Sequence, residues 1–502
     1  MKKLLTLGVI AAAMGLSAQE PAKVTSQDAM TYNRCSITVF PLLGSSNNYI
    51  TSWAQGQDFD GKFDYNDIQT FGINGTTSAD TIGMILVEKQ VPKQILNYWL
   101  QYDGKQFNNS VLEKRSRYNA TDADVLKDRG SMVSTILGNG KPLMKNSFIM
   151  VAGPTEIKKT DTKKGPVYTA KVNGYAYLVD INDEVLATVW ENWLDDEAAD
   201  SAKIIYDNLE VGLHEAASVK NVSGTDADPD KAINEALTSM FEKLEKKIDK
   251  WQVVTSVYQL HPIGAKVGTK EGLKNSDRYA AYRVVEDADG NLQYKRIGYA
   301  RATTIADNAA DADGESPCSN FYQISGRRNI KEGMFLKQNK DAKFSVSVSG
   351  NIWAYNPINV DVDYLIKTNH KGGIMQYAGL SIGADWGKTM GESAFWIPVS
   401  LNYGIGIHPL RWLEILPNIG IGADYYGMPD DLSDSDDSSF MKQIAYFARG
   451  GVKLGFQIWY PVQLFVRADY SYKFSEGEYY LPCDSKDRFN RLGIGAGIKI
   501  NF

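Results

Sequence analysis

Residues 491–502 read RLGIGAGIKINF, and two kinds of residue alternate along this stretch. One set is apolar and comprises Leu492, Ile494, Ala496, Ile498, Ile500 and Phe502. The other set is polar or glycine and comprises Arg491, Gly493, Gly495, Gly497, Lys499 and Asn501. Successive side chains of a β-strand point to opposite faces of the sheet. The period of two therefore predicts a strand with one apolar and one polar face.

The same alternation recurs in seven earlier segments of the C-terminal third. They are residues 344–354, 360–367, 374–386, 394–407, 411–425, 443–458 and 463–474. The connections 368–373, 408–410 and 460–462 are short, whereas two of the loops 356–359, 387–393, 427–443 and 475–490 are long. Tilted strands of about 9–11 residues cross a bilayer, and outer-membrane barrels have short periplasmic turns and longer outer loops. The pattern predicts an eight-stranded antiparallel transmembrane β-barrel over residues 341–502.

Charged residues of both signs share the polar face of these strands. They are Asp361, Asp363, Asp385, Glu414, Asp424 and Asp469 with Lys367, Arg449, Lys453, Arg467, Arg491 and Lys499. We expect these groups to fill the interior of a narrow barrel as a paired network. The alternative is a soluble β-sandwich with its apolar face inward. The mixed charges count against it, as do aromatic residues near strand ends, namely Trp353, Tyr355, Trp386, Trp412, Tyr425, Trp459, Tyr460 and Tyr472.

Residues 341–502 resemble the small eight-stranded, OmpA-like outer-membrane barrels of Gram-negative bacteria. The resemblance lies in the strand count, the alternation, the turns around Pro409 and Pro461, and the terminal Phe502. It implies a location in the outer membrane, with Phe502 as the C-terminal insertion signal. These features indicate a fold more specifically than a function.

The first residues predict export. Lys2 and Lys3 precede an apolar run over residues 4–16, and small residues lead to a cleavage site after Ala18. This is the pattern of a signal peptide, here residues 1–18, and it predicts a periplasmic location for the region before the barrel. The three cysteines Cys35, Cys318 and Cys483 allow at most one disulfide. If one forms, we favour Cys35–Cys318.

The composition excludes several classes of protein. The chain has 502 residues and a net charge of −6, which argues against a dedicated nucleic-acid binder. The mean hydropathy of −0.32 argues against a polytopic helical membrane protein. Neither value argues against a β-barrel, because only every second residue of a barrel strand faces lipid.

Residues 19–222 have the pattern of an α/β or α+β periplasmic domain. Strands are predicted at 36–43, 148–152 and 167–179, helical segments at 79–100 and 193–213, and a loop at 221–228. Pro92 is expected to break or start a helix. Residues 230–251 have apolar residues at helical spacing and charges between them. We expect this helix to pack on a sheet, with docking to a partner as the alternative.

Residues 252–337 are predicted to form a compact β module, which together with the preceding helix makes up a domain over 223–340. The stretches VGTKEGLKNSDRYAAYR (267–283) and RIGYARATTI (296–305) resemble the C-terminal SH3-like module of flagellar assembly protein T. Ser276 stands where that family usually has glycine before the aspartate. The segment ITVFPLL (37–43) is compatible with the CsgG/TolB-like domains that accompany such modules.

The sequence contains few candidates for catalysis. It has four histidines, and the GxSxG, HExxH and Walker A patterns are absent from it. The aspartates of 287–290 and 311–314 lack EF-hand spacing, and the acidic stretch 430–437 is better explained as a solvated loop than as a weak divalent-cation site. We therefore predict no catalytic residues, cofactor or metal.

The favoured hypothesis is a non-enzymatic outer-membrane protein. Its barrel is an anchor, and its large periplasmic region scaffolds the envelope or binds an envelope protein or peptidoglycan. The alternatives are a channel for small solutes or export and an enzyme that modifies surface lipid. The sequence leaves the oligomeric state open.

Overall fold

The computed structural model describes most of the chain. It covers residues 34–42, 50, 53–54, 62–74, 76–103, 111, 144–163, 165–182, 184–185, 187–188, 199–286, 292–308, 317–326, 328–351, 358–369, 373–427, 443–477, 480–481, 483, 489 and 491–502. The predicted signal peptide (1–18) lies outside the described residues. So do the three aspartate-rich stretches at 287–290, 311–314 and 430–437, and the aromatic residues Trp353 and Tyr355.

The N-terminal part is built on one mixed sheet. Its strands are β1 (Cys35–Pro41), β2 (Phe63–Tyr65), β3 (Ser147–Thr162), β4 (Gly165–Ile181) and β5 (Val211–Asp226). They lie in the order β2-β1-β3-β4-β5. Strands β2, β1 and β3 are parallel, and the others pair antiparallel. The predicted segments 36–43, 148–152 and 167–179 all fall within strands, although β3 and β4 extend further.

Helices cover both faces of this sheet. They are α1 (Ala79–Glu88), α2 (Val91–Leu100), α3 (Ala199–Asp207) and α4 (Pro229–Lys247). Pro92 lies in the first turn of α2, where its missing N–H has no intrahelical partner to lose. Helix α4 packs on β4 and β5, not on the module with which the sequence grouped it. Among the described residues, no helix is long and apolar enough to cross a membrane.

Strand β5 differs from the sequence prediction, which assigned its residues to the end of a helix and to a loop. Here α3 ends at Asp207, and residues 211–226 pair with β4 along their length. Val219 and Val222 are buried in the cluster beneath α4, so tertiary packing overrides a weak local pattern. Gly224 permits that contact, because a Cβ there would lie 2.3 Å from the carbonyl oxygen of Ala232.

The next part is a small closed barrel, called the module below. Its strands are β6 (Val254–Gln259), β7 (Ile263–Ala265), β8 (Arg278–Glu286), β9 (Leu292–Thr304), β10 (Ser319–Gly326) and β11 (Phe335–Gln338). They close in the order β10-β7-β6-β11-β8-β9. The predicted hairpin corresponds to β8 and β9. The core of the module is apolar and includes Tyr279, Ala281, Phe321 and Leu336.

The C-terminal part is a larger closed barrel, called the main barrel below. Its eight strands are β12 (Phe344–Asn351), β13 (Ile358–Thr368), β14 (Ile374–Thr389), β15 (Glu392–Leu410), β16 (Leu413–Gly427), β17 (Ile444–Trp459), β18 (Val462–Glu476) and β19 (Arg491–Asn501). Each pairs antiparallel with the next, and β12 closes on β19 through pairs such as Val346 with Ile500. Each segment with period-two alternation forms one strand.

Two connections of the main barrel are tighter than the sequence indicated. The predicted loop 387–393 is a two-residue turn, because Thr389 still pairs with Glu392. Met390 and Gly391 both have positive φ, at 51° and 87°, as a tight hairpin requires. Residues 408–410 belong to β15, so the turn that follows is shorter and shifted.

The favoured disulfide is not formed. The three cysteines all lie among the described residues and are thiols. Cys35 is buried in the core of the N-terminal sheet, where its Sγ donates a hydrogen bond to the carbonyl oxygen of Lys250 at 3.3 Å. Cys318 precedes β10 of the module, so the two thiols belong to different parts of the fold.

Candidate functional site: the interior of the main barrel

The main barrel has an apolar outside and a polar inside. On β13 the outward residues Val360, Val362 and Tyr364 are 37%, 40% and 52% exposed. The residues between them, Asp361 and Asp363, are 2% and 7% exposed. The same alternation continues on the other strands, where the exposed residues include Leu380, Ile382, Leu401, Ile405, Ile419, Ile421, Leu464, Val466 and Leu492. This distribution is the reverse of that in the module.

Asp361 is the centre of the first interior charge network. Its Oδ2 lies 2.9 Å from the Nζ of Lys453 and 3.2 Å from a guanidinium nitrogen of Arg467. Lys453 also reaches Asp363 at 3.5 Å. Arg467 pairs with Asp469, whose carboxylate lies 3.3 Å from Arg449. Three cations and three anions are therefore linked inside the barrel, with Ser347 donating a further hydrogen bond to Asp361.

Glu414 is the centre of a second network, near the end of the main barrel that adjoins the module. Its Oε2 accepts hydrogen bonds from Lys499 at 3.0 Å and from Gln463 at 2.9 Å. The Nε2 of His408 lies 3.8 Å from the other carboxylate oxygen. The described strands bring together eight of the twelve predicted residues in these two networks.

The remaining predicted residues lie elsewhere. Asp385 and Asp424 are buried near the far end of the barrel, where Tyr480 donates a hydrogen bond to Asp424 at 2.9 Å. Arg491 begins β19, but its side chain lies outside the described residues. Phe502 lies on the outer surface and stacks on Phe344, with ring centres 5.0 Å apart.

One residue of β13 lies on the opposite side from the one the alternation predicts. A β-bulge between Leu365 and Lys367 shifts the register of β13. Leu365 lies before the bulge, in phase with Asp361 and Asp363, and points inward with 2% exposure, whereas Lys367 lies beyond the bulge and is on the outer surface. A bulge adds one residue to one strand of a pair and so reverses the faces beyond it. Lys367 therefore does not belong to the interior network.

Sequence reasoning missed an aromatic cluster inside the far end of the barrel. Trp396, Tyr426 and Phe447 are almost fully buried there, together with Tyr480 and Phe489. Each of the three strand residues stands next to a second aromatic residue in the sequence, as in Phe395-Trp396 and Tyr425-Tyr426. Because neighbours on a strand face opposite ways, such pairs must place one ring inside. That was the available signal.

The side chains leave little space in the interior. A cavity of about 10 Å³ lies between Asp361, Arg449 and Lys453, which is room for about one water molecule. Glycines let the charged groups approach the wall: a Cβ on Gly379 would lie 2.3 Å from an oxygen of Asp363. Within the described part of the chain, no group of three or more His, Cys, Asp or Glu side chains is arranged to hold a metal ion.

Comparisons with known proteins find solved outer-membrane barrels that are similar to about a third of the chain. No family model and no curated protein matches the chain. The N-terminal β-barrel domain of Pseudomonas aeruginosa OprF is 12% identical, with a TM-score of 0.22 over 32% of this chain and 96% of that one. The outer membrane enzyme PagL is 12% identical, with a TM-score of 0.20 over 32% and 99%. Yersinia pestis Ail is 11% identical, with a TM-score of 0.19 over 32% and 98%. The barrel fold itself rests on the strand pairing described above.

Proposed function

We propose that this chain is a non-enzymatic outer-membrane protein whose main barrel anchors a large periplasmic region. The periplasmic region scaffolds the envelope or binds an envelope partner, either a protein or peptidoglycan. The observation that carries the proposal is the opposite polarity of the two barrels in one chain. The module is apolar inside, as in a water-soluble domain, whereas the main barrel is apolar outside.

The outer surface of the main barrel favours lipid as its surroundings. Soluble monomers rarely expose a contiguous apolar patch larger than a few hundred Å². Here apolar side chains are exposed on every strand from β12 to β19, and Trp386, Trp412 and Trp459 are about half exposed close to strand ends. Closed barrels satisfy all backbone hydrogen bonds between strands, so this fold can cross a bilayer without a polar edge.

The filled interior favours an anchor over a channel. Solute passage would require separation of the ion pairs around Asp361 and of the pairs around Glu414. Separating a buried ion pair without replacing its partner is costly, because each charge then loses its counter-charge in a poorly hydrated space. We therefore expect the reconstituted full chain to give no stepwise conductance in planar bilayers, with a porin as the positive control. Steady single-channel steps would support the channel alternative instead.

Membrane insertion is tested by fractionation of the full chain expressed in a Gram-negative host. We expect it in the outer-membrane fraction, with a faster band on gels before heating than after it. A chain that stays soluble without detergent would overturn the proposal. A change in the mass of the surface lipid when the chain is expressed would instead support the alternative of a lipid-modifying enzyme.

Partner binding is tested by cross-linking in intact cells that carry the full chain. We expect a specific envelope protein or peptidoglycan fragment to be recovered through the residues that precede the main barrel. Cells that lack the chain serve as the control for unspecific recovery. Recovery of nothing beyond the control would leave the chain as an anchor without its proposed role.

A further inference from the structure

We infer that the three parts of the chain form one rigid body. The module is fixed to one end of the main barrel, and the N-terminal sheet is fixed to the module. This inference rests on the proposed membrane location and adds that the periplasmic region has a fixed orientation to the membrane. Relative motion is the usual expectation for domains joined by small interfaces. Each joint therefore has to show contacts that prevent it.

The first joint contains a compact set of hydrogen bonds at the end of β13. The backbone N–H of Thr368 donates to the Oγ of Ser276 at 2.8 Å and to the Oδ1 of Asn275 at 3.1 Å. The amide nitrogen of Asn275 donates to the carbonyl oxygen of Thr368 at 2.9 Å. Two residues of the module thus satisfy both backbone groups of one barrel residue, which fixes its position as well as its distance.

The module also holds the other two turns around this mouth. Between β15 and β16, the Nε of Arg411 donates to the carbonyl oxygen of Gly326 at 2.9 Å, and Tyr322 donates to the carbonyl oxygen of His408. Between β17 and β18, the ring of Tyr460 lies 4.3 Å from that of Tyr299. The sequence analysis counted Tyr460 among the aromatic residues near strand ends, and the structure packs it, partly buried, against the module. Attachment at three turns spaced around a closed barrel prevents rocking about any one of them.

Apolar side chains seal the space between these attachments. Leu365 and Met375 of the main barrel are 2% and 1% exposed, and they pack with Tyr282, Tyr294 and Ile324 of the module in one cluster. Leu365 is inward because it continues the alternation of Asp361 and Asp363 before the bulge in β13. A barrel residue that would otherwise face an open mouth is therefore buried by the module.

The segment that connects the two barrels is itself held by ion pairs to the module. Asp341 is 1% exposed at its side chain, pairs with Arg301 and lies 3.4 Å from Arg278. Lys343 lies 3.6 Å from Asp277. Such a short segment with its charges paired to the module does not act as a flexible tether.

The second joint uses the same connecting segment. Lys340 and Lys62 both pair with Glu245 of α4, whose side chain is 3% exposed. Lys337 at the end of β11 lies 3.0 Å from Asp249, which follows α4. Because Glu245 is buried, a displacement that separated it from Lys340 would leave a buried charge with one partner fewer, whereas Asp249 is 72% exposed and its pair with Lys337 fixes the joint less. The N-terminal sheet, the module and the main barrel are thus held to one another by contacts at both joints.

The test measures one distance across both joints in the full chain held in lipid nanodiscs. Spin labels are placed at Ile204→Cys on α3 and Met390→Cys at the far turn of the main barrel, after the native cysteines are replaced by alanine. Both positions are well exposed, at 66% and 73%. A single narrow distance distribution supports a rigid body. A broad distribution in a chain that still shows the heat-dependent gel shift overturns it without touching the proposed membrane location.

A variant at the first joint tests whether the contacts between the module and the main barrel cause this rigidity. Arg411→Ala combined with Asn275→Ala, which removes the side chain that pairs with both backbone groups of Thr368, should broaden the distribution, whereas the matched control Ile366→Ala, on the outer face of β13, should not. If the combined variant does not insert, Arg411→Ala alone replaces it. An unchanged narrow distribution in an inserted junction variant would contradict the assignment of rigidity to these contacts.

Discussion

The hydroxyl oxygens of Ser276 in the module and Thr368 in the main barrel lie 2.9 Å apart. Ser276 has φ = 69°, in the left-handed region that favours glycine. A serine in this region costs conformational energy that a glycine would not. In return its hydroxyl contacts both the backbone and the side chain of Thr368. A serine at this left-handed position is thus explained by its contacts with the main barrel.

The first prediction concerns this pair. Ser276→Gly removes the hydroxyl and relieves the backbone, whereas Thr368→Val removes only the hydroxyl. A hydrogen bond of this kind contributes about 1 kcal/mol. We expect the double variant to show a coupling of about that size in urea unfolding of the full chain in detergent micelles. Additive effects would contradict the contact. Thr255→Val, whose hydroxyl reaches only the neighbouring Ser256 carbonyl at 3.5 Å, is the matched control.

The second prediction concerns the interior network. Asp361→Asn removes the anion that Lys453 and Arg467 share. Because both cations stay buried, we expect a loss of about 3–5 kcal/mol in the free energy of unfolding. Urea-dependent folding into lipid vesicles measures it. Lys367→Gln on the same strand is the control, since this lysine lies on the outer surface. Equal effects of the two substitutions would argue against a paired interior.

The third prediction separates a lipid-facing surface from a water-facing one. Val362 on the main barrel and Val284 on the module are both 40% exposed. A lysine at the middle of a membrane strand costs about 2–4 kcal/mol on the lipid face. We expect Val362→Lys to reduce insertion into vesicles. A surface substitution in water usually changes stability by less than about 0.5 kcal/mol, so Val284→Lys should have little effect. Equal tolerance at the two sites would favour a soluble barrel.

The strands were predictable because alternation is a local signal that burial reinforces. On β13 the apolar residues at 360, 362 and 364 are all outside and the aspartates between them are inside. The bulge between Leu365 and Lys367, which moves Lys367 to the outside, was not predictable, because it depends on pairing with β14. Strand β5 was missed for a similar reason: its burial depends on α4, which follows it in the chain.

The interior site was predictable in composition but not in grouping. The alternation identified Asp361 and Glu414 as inward residues. It did not show that each is the centre of a separate network. Partners such as Lys453 and Lys499 lie on strands far apart in sequence, and only barrel closure and stagger decide which charges meet. Contacts between the two barrels could not be predicted from the sequence, because nothing in the local pattern distinguishes Ser276 and Thr368 from other polar residues.

The fourth prediction concerns thiol reactivity. Burial raises the pKa of Cys35 to about 12, whereas Cys318 is partly exposed. The thiolate is the reactive form, so a raised pKa slows alkylation. We expect iodoacetamide at pH 8 to modify Cys318 well before Cys35 in the folded chain, and both equally in urea. Mass spectrometry of the peptides measures the order. Prompt labelling of Cys35 in the folded chain would contradict its place in the core.

The fifth prediction is a pH dependence at the second joint. Burial alone would raise the pKa of Glu245, but the ammonium groups of Lys62 and Lys340 hold it below its usual value of 4.5. Because the folded pKa is lower than the unfolded one, the ionised carboxylate stabilises the fold above pH 4.5. This stabilisation is lost as the pH falls through the lowered pKa. We expect unfolding free energies of the full chain to decline over that acidic range.

Replacing Glu245 with glutamine should change how the free energy of unfolding depends on pH, both in its value at neutral pH and in its slope at acidic pH. At neutral pH the variant leaves Lys62 buried without its counter-charge, at a cost of about 3–5 kcal/mol. Burial already lowers the pKa of Lys62, so the ammonium depends on this partner. Below pH 4.5 the variant should lose less stability than the native chain, because it has no carboxylate to protonate. Glu242→Gln, on the exposed face of the same helix, should leave the curve unchanged. An acid slope that survives in Glu245→Gln would show that other carboxylates set it.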